Sequence, residues 1–387
     1  MFSRRTDWTL TPNRFTQAQR ELQASDAQIL DLTVSNPTRA SLHYDEEAIM
    51  QALIQPDARD YDPQPKGLLV AREAVTNYYK SQHENIDSQS VILTTSTSEG
   101  YSYVFRLLCN PEDEILVPRP SYPLFDFLAD LQDVKLIPYP QIYDHGWHID
   151  FPSLYKLVNH RTRAIIVVHP NNPTGNYVST AQRADLNNFC REYNLALIVD
   201  EVFLDYAHDG APRQTFASNR EGLSFTLSGL SKISALPQMK LAWVSTSGPD
   251  ELVTPALARL EVIADTFLSL NAPIQLAASK LLDQRKNIQP LLLDRVRANL
   301  EELDRTLNRQ KSCQRLAVEG GWYAILRVPA IQSDEDLAID ILRKTNVLVH
   351  PGHFYDFPSD GYLVLSLIPS PEIFRDGIHR LLGHLNV

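Results

Sequence analysis

The stretch Leu195-Ala196-Leu197-Ile198-Val199-Asp200-Glu201 decides the fold of this chain. Five apolar residues followed directly by two acids are typical of a strand that is buried on both faces and ends at the carboxyl edge of a parallel sheet. Shorter apolar runs precede it and are separated by helical patterns; they lie at residues 91–93, 114–117, 135–137 and 164–168. This alternation predicts an α/β domain with a mostly parallel sheet flanked by helices.

Lys232 follows this strand, in Ser228-Gly229-Leu230-Ser231-Lys232. Between Asp200 and Lys232 there is room for a further strand near residues 224–227 and a turn. An amine and a carboxylate in this order suit a cofactor aldehyde, because the lysine can form a Schiff base with it while the acid holds a protonated ring nitrogen. Pyridoxal phosphate requires this arrangement. The pair therefore predicts an enzyme of amino-group chemistry.

Three further segments are candidates for the same site. Ser96-Thr97-Ser98 opens a helix, where hydroxyls and free amides bind phosphate, although such residues also serve as ordinary N-caps. Tyr122, just after a strand, could stack on a flat heterocycle or be a packed turn aromatic. Asn172 lies in His169-Pro170-Asn171-Asn172-Pro173-Thr174-Gly175, a cluster of turn-formers at the carboxyl edge of the sheet, where ligands bind in such folds.

The pattern changes beyond residue 283. Residues 283–310 predict one long helix, and a smaller α+β unit follows with strands near 321–326, 346–349 and 362–367 and a helix at 334–345. A helix near 14–28 and a strand near 29–34 are expected to join this second unit. We therefore predict a large domain over residues 41–283 and a small domain formed by residues 1–40 and 284–387.

Composition narrows the function classes. The 387 residues are 43% hydrophobic, and 47 acidic against 36 basic residues give a net charge of −11, which argues against nucleic-acid binding. No run approaches the ~20 apolar residues of a membrane span. Three separated cysteines, Cys109, Cys190 and Cys313, predict reduced thiols in a cytoplasmic protein without a metal site.

Taken together and in order, the motifs resemble those of the class I/II aminotransferases, which have the pyridoxal-phosphate transferase fold of type I. The motifs that carry the resemblance are Tyr61…Gly67, Ser96-Thr97-Ser98, Pro120-Ser121-Tyr122, Asn172-Pro173-Thr174-Gly175, Asp200-Glu201 and Ser231-Lys232. The resemblance implies transfer of an amino group from an amino acid to a 2-oxo acid through the pyridoxamine form. It also implies a homodimer whose active sites are shared, with Tyr61 reaching the phosphate of the partner's cofactor.

The resemblance further implies a role for each matching residue. Lys232 would form the Schiff base and then move the proton at the substrate's Cα, and Asp200 would pair with the ring nitrogen. Tyr122 would stack on the ring and Asn172 would bind its O3′ and face the substrate. The phosphate would be held by five hydroxyl-bearing residues, namely Ser96, Thr97, Ser98, Ser228 and Ser231.

Three positions depart from the family pattern. Phe203 replaces a tyrosine that bonds the cofactor's O3′, which predicts a raised pKa for the Schiff base. Lys240 replaces a phosphate-binding arginine, keeping the charge but not the bidentate fork. Val364 stands where the family has the arginine that binds the substrate's carboxylate. Arg39 is the best candidate to replace that arginine, and His353 is either a substrate contact or an ordinary turn histidine.

The departures leave two other functions open. A lyase or decarboxylase of the same fold type would use the same lysine and aspartate but direct the carbanion differently. A cofactor-binding relative without turnover would also explain Phe203, Lys240 and Val364 as signs of decay.

Overall fold

The computed structural model describes residues 1–25, 27–123 and 125–385. Its strands are β1 (Leu30–Asp31), β2 (Val91–Thr94), β3 (Glu114–Arg119), β4 (Lys135–Tyr143), β5 (Trp147–Ile149), β6 (Thr162–Val168), β7 (Ala196–Asp200), β8 (Ser224–Gly229), β9 (Ala242–Ser247), β10 (Gln314–Arg315), β11 (Tyr323–Arg327), β12 (Val347–Leu348), β13 (His350–Pro351) and β14 (Tyr362–Ser366). Its α-helices are α1 (Arg14–Ala24), α2 (Glu46–Leu53), α3 (Leu69–Ser81), α4 (Thr97–Leu108), α5 (Phe125–Asp130), α6 (Phe151–Leu157), α7 (Thr180–Tyr193), α8 (Leu230–Ile233), α9 (Asp250–Phe267), α10 (Ala272–Asp283), α11 (Arg285–Leu307), α12 (Asp334–Thr345) and α13 (Pro371–Leu385).

The main sheet has eight strands in the order β2-β9-β8-β7-β6-β3-β4-β5. The pairs from β8 to β4 are all parallel, as the apolar runs predicted. The first apolar run, at residues 91–93, was expected to form another parallel strand. It forms β2, which instead lies at the edge of the sheet and pairs antiparallel with β9. At the other edge the short β5 is also antiparallel to its neighbour.

Strand β7 explains why the central strands are apolar throughout. Ala196 and Ile198 pack into one core with helices α4, α5 and α9, whereas Leu197 and Val199 pack into another with α6 and α7. Side chains of a strand alternate between the two faces, so a sheet covered by helices on both faces needs an apolar residue at every position. Asp200 is the first polar residue of β7 and marks the point where the strand leaves this cover.

A second sheet lies outside the main one, in the order β10-β11-β14-β13, and it is antiparallel throughout. The N-terminal β1 pairs in parallel with β12, so the beginning of the chain joins the second unit as expected. The fold is therefore the predicted α/β architecture with a smaller α+β unit. The boundaries at residues 40/41 and 283/284 stay a prediction.

Helix α11 connects the two units along its length. Gln289, near its beginning, donates from Nε2 to the carbonyl of Ile233 at 2.8 Å. Asn299, further along, donates from Nδ2 to the carbonyls of Leu367 and Pro369, both at 2.9 Å. The helix thus bonds to the end of α8 on one side and to the chain after β14 on the other. Within the described residues, no helix has the length and apolarity that crossing a membrane requires.

Candidate active site

A cavity of roughly 230 Å³ opens at the carboxyl edge of the main sheet. Parallel strands end on the same edge, so loops that are far apart in sequence meet there. The lining residues come from seven segments of the chain: Ser35, Thr97, Ser98, Tyr101, Tyr122, Leu128, Val168, Asn172, Asp200, Val202, Phe203, Ser231, Lys232 and Tyr323. Five of the six sequence motifs therefore share one cavity, and the exception is Tyr61…Gly67.

Asp200 is buried at the end of β7 and is held by two donors. The Tyr101 hydroxyl donates to its Oδ2 at 3.1 Å, and the Val202 amide donates to its Oδ1 at 3.1 Å. Burial raises the pKa of Asp200 to about 6, while the Val202 amide, the Tyr101 hydroxyl and the charge of Lys232 act in the opposite direction. The carboxylate is thus fixed in orientation and partly deprived of solvation, which makes it a strong acceptor for a cationic partner.

Lys232 lies on α8, immediately after β8. Its Nζ donates to the carbonyl of Ser35 at 3.3 Å and lies 4.8 Å from the ring centroid of Trp322 and 5.4 Å from that of Phe203. Burial lowers the pKa of Lys232 to about 8, and the charge of Asp200 opposes this shift. The unprotonated amine, the form that attacks a carbonyl, is therefore more populated at neutral pH than for an ordinary lysine.

The hydroxyl-bearing residues at the start of α4, at the end of β8 and on α8 divide into two groups. Thr97, Ser98 and Ser231 line the cavity. Ser96 instead accepts the Glu99 amide at 3.2 Å as the N-cap of α4, and Ser228 is buried and donates to the carbonyl of Glu201 at 3.4 Å. The structure therefore brings three of the five predicted phosphate ligands to the cavity wall.

Tyr122 and Asn172 both line the cavity. The Tyr122 ring packs edge-on against Phe125 with centroids 5.9 Å apart, and 38% of the residue is exposed. Asn172 is buried, and its carboxamide Oδ1 has no hydrogen-bond partner among the described residues. A buried amide without a partner is costly, so this one suits a polar ligand in the cavity.

The remaining predicted residues lie in different places. Phe203 lines the cavity, as expected for its position three residues after Asp200. The others lie outside the cavity wall: Tyr61, Lys240, Arg39 and His353 are exposed, and the His353 ring packs against Phe354 with centroids 4.7 Å apart. Val364 is buried in β14, opposite Ile325 and His350.

Four residues of the site were missed by sequence reasoning. Tyr101 holds Asp200, Trp322 contacts the lysine amine, and Ser35 and Tyr323 form the side of the cavity that comes from the second unit. For Tyr101 a signal existed, because it lies one helical turn after Ser98 and so shares its face of α4. The other three could not be identified from the sequence, because their place in the site depends on how the second unit packs against the first.

The part of the chain that the structure describes has no cluster of three or more His, Cys, Asp or Glu side chains suited to a metal ion. Among the same residues, the cavity wall carries one cationic side chain, that of Lys232. The site is therefore built from an amine, a carboxylate, hydroxyls and aromatic rings.

Comparison with known proteins agrees with this geometry. The family described as aminotransferase class I and II matches residues 27–369. The chain is 28% identical over 377 residues to an alanine aminotransferase of Mycobacterium tuberculosis, covering 94% of this chain and 87% of that one. It is 27% identical over 375 residues to the glutamate-pyruvate aminotransferase AlaA of Haemophilus influenzae, covering 94% and 92%.

Solved structures show the same fold. The alanine aminotransferase from Pyrococcus furiosus superposes with a TM-score of 0.89 at 22% identity, over 100% of this chain and 99% of that one. The family match spans most of the chain, and the fold comparison spans all of it. The chain therefore belongs to the class I and II aminotransferases, enzymes that use pyridoxal 5′-phosphate to transfer an amino group between an amino acid and a 2-oxo acid.

Proposed function

We propose that the cavity around Lys232 is the active site of this aminotransferase. The observation that carries the proposal is the presence of the Lys232 amine and the Asp200 carboxylate on the walls of one cavity. Burial moves the pKa of both groups toward neutrality, to about 8 for Lys232 and about 6 for Asp200. Perturbed groups of this kind concentrate at functional sites.

The residues present fit pyridoxal phosphate. Lys232 supplies an amine for its aldehyde, Asp200 a carboxylate for its ring nitrogen, and Thr97, Ser98 and Ser231 hydroxyls for its phosphate. The partnerless Oδ1 of Asn172 is evidence that this side chain awaits a ligand, and rotation of the carboxamide would offer its NH₂ to the phenolic oxygen. When bound, the cofactor supplies a ring that withdraws electrons and stabilises negative charge at the substrate's α-carbon.

Each residue then has a defined task. The Lys232 Nζ would hold the cofactor covalently, and its free amine would accept the proton from the substrate's Cα. Asp200 keeps a proton on the ring nitrogen, because an ionised carboxylate in a site of low dielectric favours the charged form of its partner. Tyr101 and the Val202 amide fix the direction of the Asp200 carboxylate. The apolar walls at Leu128, Val168, Val202 and Phe203 exclude water.

We further propose that Arg39 binds the substrate's carboxylate. Ser35, four residues earlier, lines the cavity and accepts the bond from Lys232, so the turn that carries Arg39 begins at the cavity mouth. In the described part of the chain, no hydrogen bond or ion pair holds the Arg39 guanidinium. The residue is exposed and so can reach a ligand from the rim.

For the side chain of the amino donor, the cavity favours an uncharged group. Its wall has no cation besides Lys232 among the described residues, so a second carboxylate would lack a partner there. The named activities of the relatives from Mycobacterium tuberculosis and Haemophilus influenzae include alanine and the glutamate-pyruvate pair. We propose alanine as the first donor to test and pyruvate as its product.

The functional unit that we propose is a homodimer with shared active sites. Tyr61 is 82% exposed and lies in a separate surface cavity of roughly 520 Å³, together with the exposed Leu268. Exposed apolar and aromatic side chains around one depression are typical of an interaction surface. Because Tyr61 is outside the cavity of its own chain, its proposed contact with a cofactor phosphate requires a partner subunit.

We also propose a cytoplasmic location, for which the cysteines give the support. Cys109, Cys190 and Cys313 are all free thiols, and burial raises the pKa of each one. Thiols that persist without disulfides are typical of reducing compartments.

The test uses purified holoenzyme mixed with single amino acids in the absence of any acceptor. Loss of the cofactor's visible absorbance with release of one equivalent of the matching 2-oxo acid is expected for alanine, and a weaker response for aspartate. The Lys232→Ala variant is the control and should lack both responses. Release of ammonia or carbon dioxide instead would show that the site runs elimination or decarboxylation, and an active Lys232→Ala variant would reject the assigned lysine.

A further inference from the structure

The short helix α8, which carries Lys232, cannot hold its own shape. It has four residues, too few for a stable isolated helix, and the last carbonyls of any helix lack partners within it. The residue that ends the turn, Ala235, has a φ of +52°, a region that costs energy for any residue with a Cβ. The turn makes only a few backbone bonds of its own, among them the Ala235 amide to the Lys232 carbonyl at 3.1 Å, so bonds from other segments add to its stability.

Three side chains from three separate segments supply these bonds. Tyr206 donates its hydroxyl to the carbonyl of Lys232 itself at 2.7 Å. Gln289 donates to the carbonyl of Ile233 at 2.8 Å, and Tyr44 donates its hydroxyl to the carbonyl of Ala235 at 3.0 Å. The carbonyls of Lys232, Ile233 and Ala235 thus each accept a hydrogen bond from a side chain that lies outside the cavity wall.

Tyr206 differs from the other two donors because its ring also reaches the amine's surroundings. The ring is fully buried and packs against Trp322 at 5.0 Å and Phe203 at 6.3 Å between centroids. Trp322 and Phe203 pack on each other at 5.0 Å, and both lie within 5.4 Å of Lys232 Nζ. The Tyr206 side chain therefore contacts the backbone of the lysine by its hydroxyl and the two rings beside the lysine's amine by its own ring.

We infer that Tyr206 is a positioning residue for Lys232. Its hydroxyl fixes the main chain from which the lysine extends, and its ring fixes the two rings between which the amine lies. Since Tyr206 follows Asp200 in the same loop, it also ties the position of the lysine to the strand end that carries the carboxylate. This inference rests on the proposed role of Lys232, because a positioning residue matters only if the amine reacts.

The experiment compares Tyr206→Phe with a matched control, Tyr139→Phe, in purified holoenzyme. Tyr139 is also a buried tyrosine, and its hydroxyl donates to a backbone carbonyl, that of Ile166 at 2.8 Å, but neither residue lines the cavity. Both variants lose one hydroxyl and one hydrogen bond to a strand or helix carbonyl. A purely structural role would therefore change both proteins alike.

Three readouts separate positioning from folding. They are the rate at which visible absorbance develops when cofactor is added to apoenzyme, the pH midpoint of that absorbance, and the single-turnover rate with alanine. For Tyr206→Phe we expect both rates to fall about tenfold and the pH midpoint to move, with little change in the donor's KM. Tyr139→Phe should match the wild type in all three. The titratable groups that share the cavity with Lys232 are Tyr101, Tyr122, Asp200 and Tyr323, and neither substitution alters them.

The outcomes are distinct. If Tyr206→Phe behaves like Tyr139→Phe, the inference is overturned and the hydroxyl serves folding alone. If Tyr206→Phe does not fold in plain buffer, the same three readouts are taken for it, the wild type and Tyr139→Phe in trimethylamine N-oxide, which favours the folded state. Slower absorbance development in Tyr206→Phe alone supports the inference, and wild-type behaviour overturns it. If the wild type binds cofactor with the same spectrum as Lys232→Ala, the proposed role of Lys232 fails, and the inference fails with it.

Discussion

At the scale of single residues, the fold places Asp200 and Lys232 where ionisation is unfavourable. Both groups lose solvation on burial, and their mutual attraction offsets that loss in part. A protein retains such groups when they serve a ligand, and the free protein is then less stable than its size and core allow. The cofactor, by pairing with both groups, should restore this stability.

The raised pKa of Asp200 has a direct consequence for the pH dependence of stability. The folded protein binds this proton more tightly than the unfolded chain does, since the pKa rises from 3.8 to about 6. The stability that the protonated form contributes is present below the unfolded pKa and is lost as the pH rises through about 6. In cofactor-free protein, urea denaturation should show wild-type stability falling relative to Asp200→Asn between pH 4 and pH 7, by at most about 3 kcal/mol.

The control for this measurement is Asp185→Asn, on the exposed face of α7. Its stability should follow that of the wild type across the whole range. A stability difference between wild type and Asp200→Asn that does not change with pH would show that Asp200 is not desolvated in the free protein.

The proposed binding of the substrate's carboxylate by Arg39 also depends on a single side chain. Removing a charged donor from a carboxylate removes about 1.5–3 kcal/mol of interaction, so Arg39→Ala should raise the KM for alanine roughly 10- to 100-fold. Cofactor affinity, measured by absorbance titration, should stay within about twofold of the wild type. Arg20→Ala, an exposed arginine on α1, is the control. Equal losses in alanine KM and cofactor affinity would reject the anchor.

Sequence reasoning identified residues whose position follows from a strand end. Asp200, Asn172 and Lys232 each come after a strand of a parallel sheet, and such ends converge on one edge. Trp322 could not be found in this way, because its contact with the lysine amine depends on how the second unit packs against the first. Sequence reasoning also could not identify what replaces the arginine expected at position 364. A buried valine in a strand does not indicate which other cation binds the substrate's carboxylate.

At the scale of elements, the loop that carries Asn172 is held by the chain that precedes β11. The Gly175 carbonyl accepts the amides of Glu319 at 3.2 Å and Gly320 at 2.9 Å. Gly175 has a φ of +72°, and a Cβ there would lie 2.3 Å from Val318 Cγ2 and 2.6 Å from the Gly320 carbonyl oxygen. The loop and the second unit therefore approach each other more closely than any residue with a side chain allows.

Gly175→Ala should for this reason destabilise the protein and weaken the cofactor site together. We expect a loss of at least ~2 kcal/mol in the free energy of unfolding, from the strained φ and the steric overlap. Cofactor affinity should fall as well, because Asn172 lies in the displaced loop. Gly222→Ala is the control, since a Cβ at Gly222 meets no atom within 4 Å. If both variants unfold at the same urea concentration, the close approach at Gly175 is not structurally important.

The elements themselves were predictable to different degrees. The central strands β3, β6 and β7 were found because burial on both faces forces continuous apolar runs. Strand β9 was missed, although it is fully buried, because its residues Ala242–Ser247 include hydroxyls that do not form such a run. The two-residue strands β1 and β12 lie inside the predicted strands at 29–34 and 346–349 and pair with each other, but both are shorter than predicted.

At the scale of the whole molecule, the position of Tyr61 bears on the assembly. It belongs to a motif that the family resemblance connects with the cofactor, yet it is exposed and lies away from the cavity of its own chain. A symmetric dimer resolves this difference, because a two-fold axis places the same surface of each chain against the other's site.

Shared sites predict complementation between inactive variants. Tyr61→Ala and Lys232→Ala should each be strongly impaired alone, whereas dimers that contain one chain of each have one site with both residues intact. Random exchange of subunits should then restore about a quarter of wild-type activity, because half of the dimers are mixed and each has one intact site of two. The measurement is activity after mixed denaturation and refolding, with each variant refolded alone as the control. Activity no greater than the sum of the two variants would contradict shared sites.

The global architecture followed from the sequence more readily than the assembly did. Alternating strand and helix patterns identify an α/β domain, and the change of pattern after residue 283 identifies a second unit. The proposed interface leaves a weaker signal, because exposed residues such as Tyr61 and Leu268 do not differ in sequence from other exposed apolar and aromatic residues.

Helix α11 limits how the length of this chain can vary. Gln289 and Asn299 are ten residues apart, about 15 Å along the helix, and each residue added or removed between them turns everything beyond it by about 100° around the helix axis. A single insertion there would keep either the bond to Ile233 or the bonds to Leu367 and Pro369, but not both. Relatives that differ in length should therefore have their insertions and deletions in surface loops, while the spacing between these two positions stays constant.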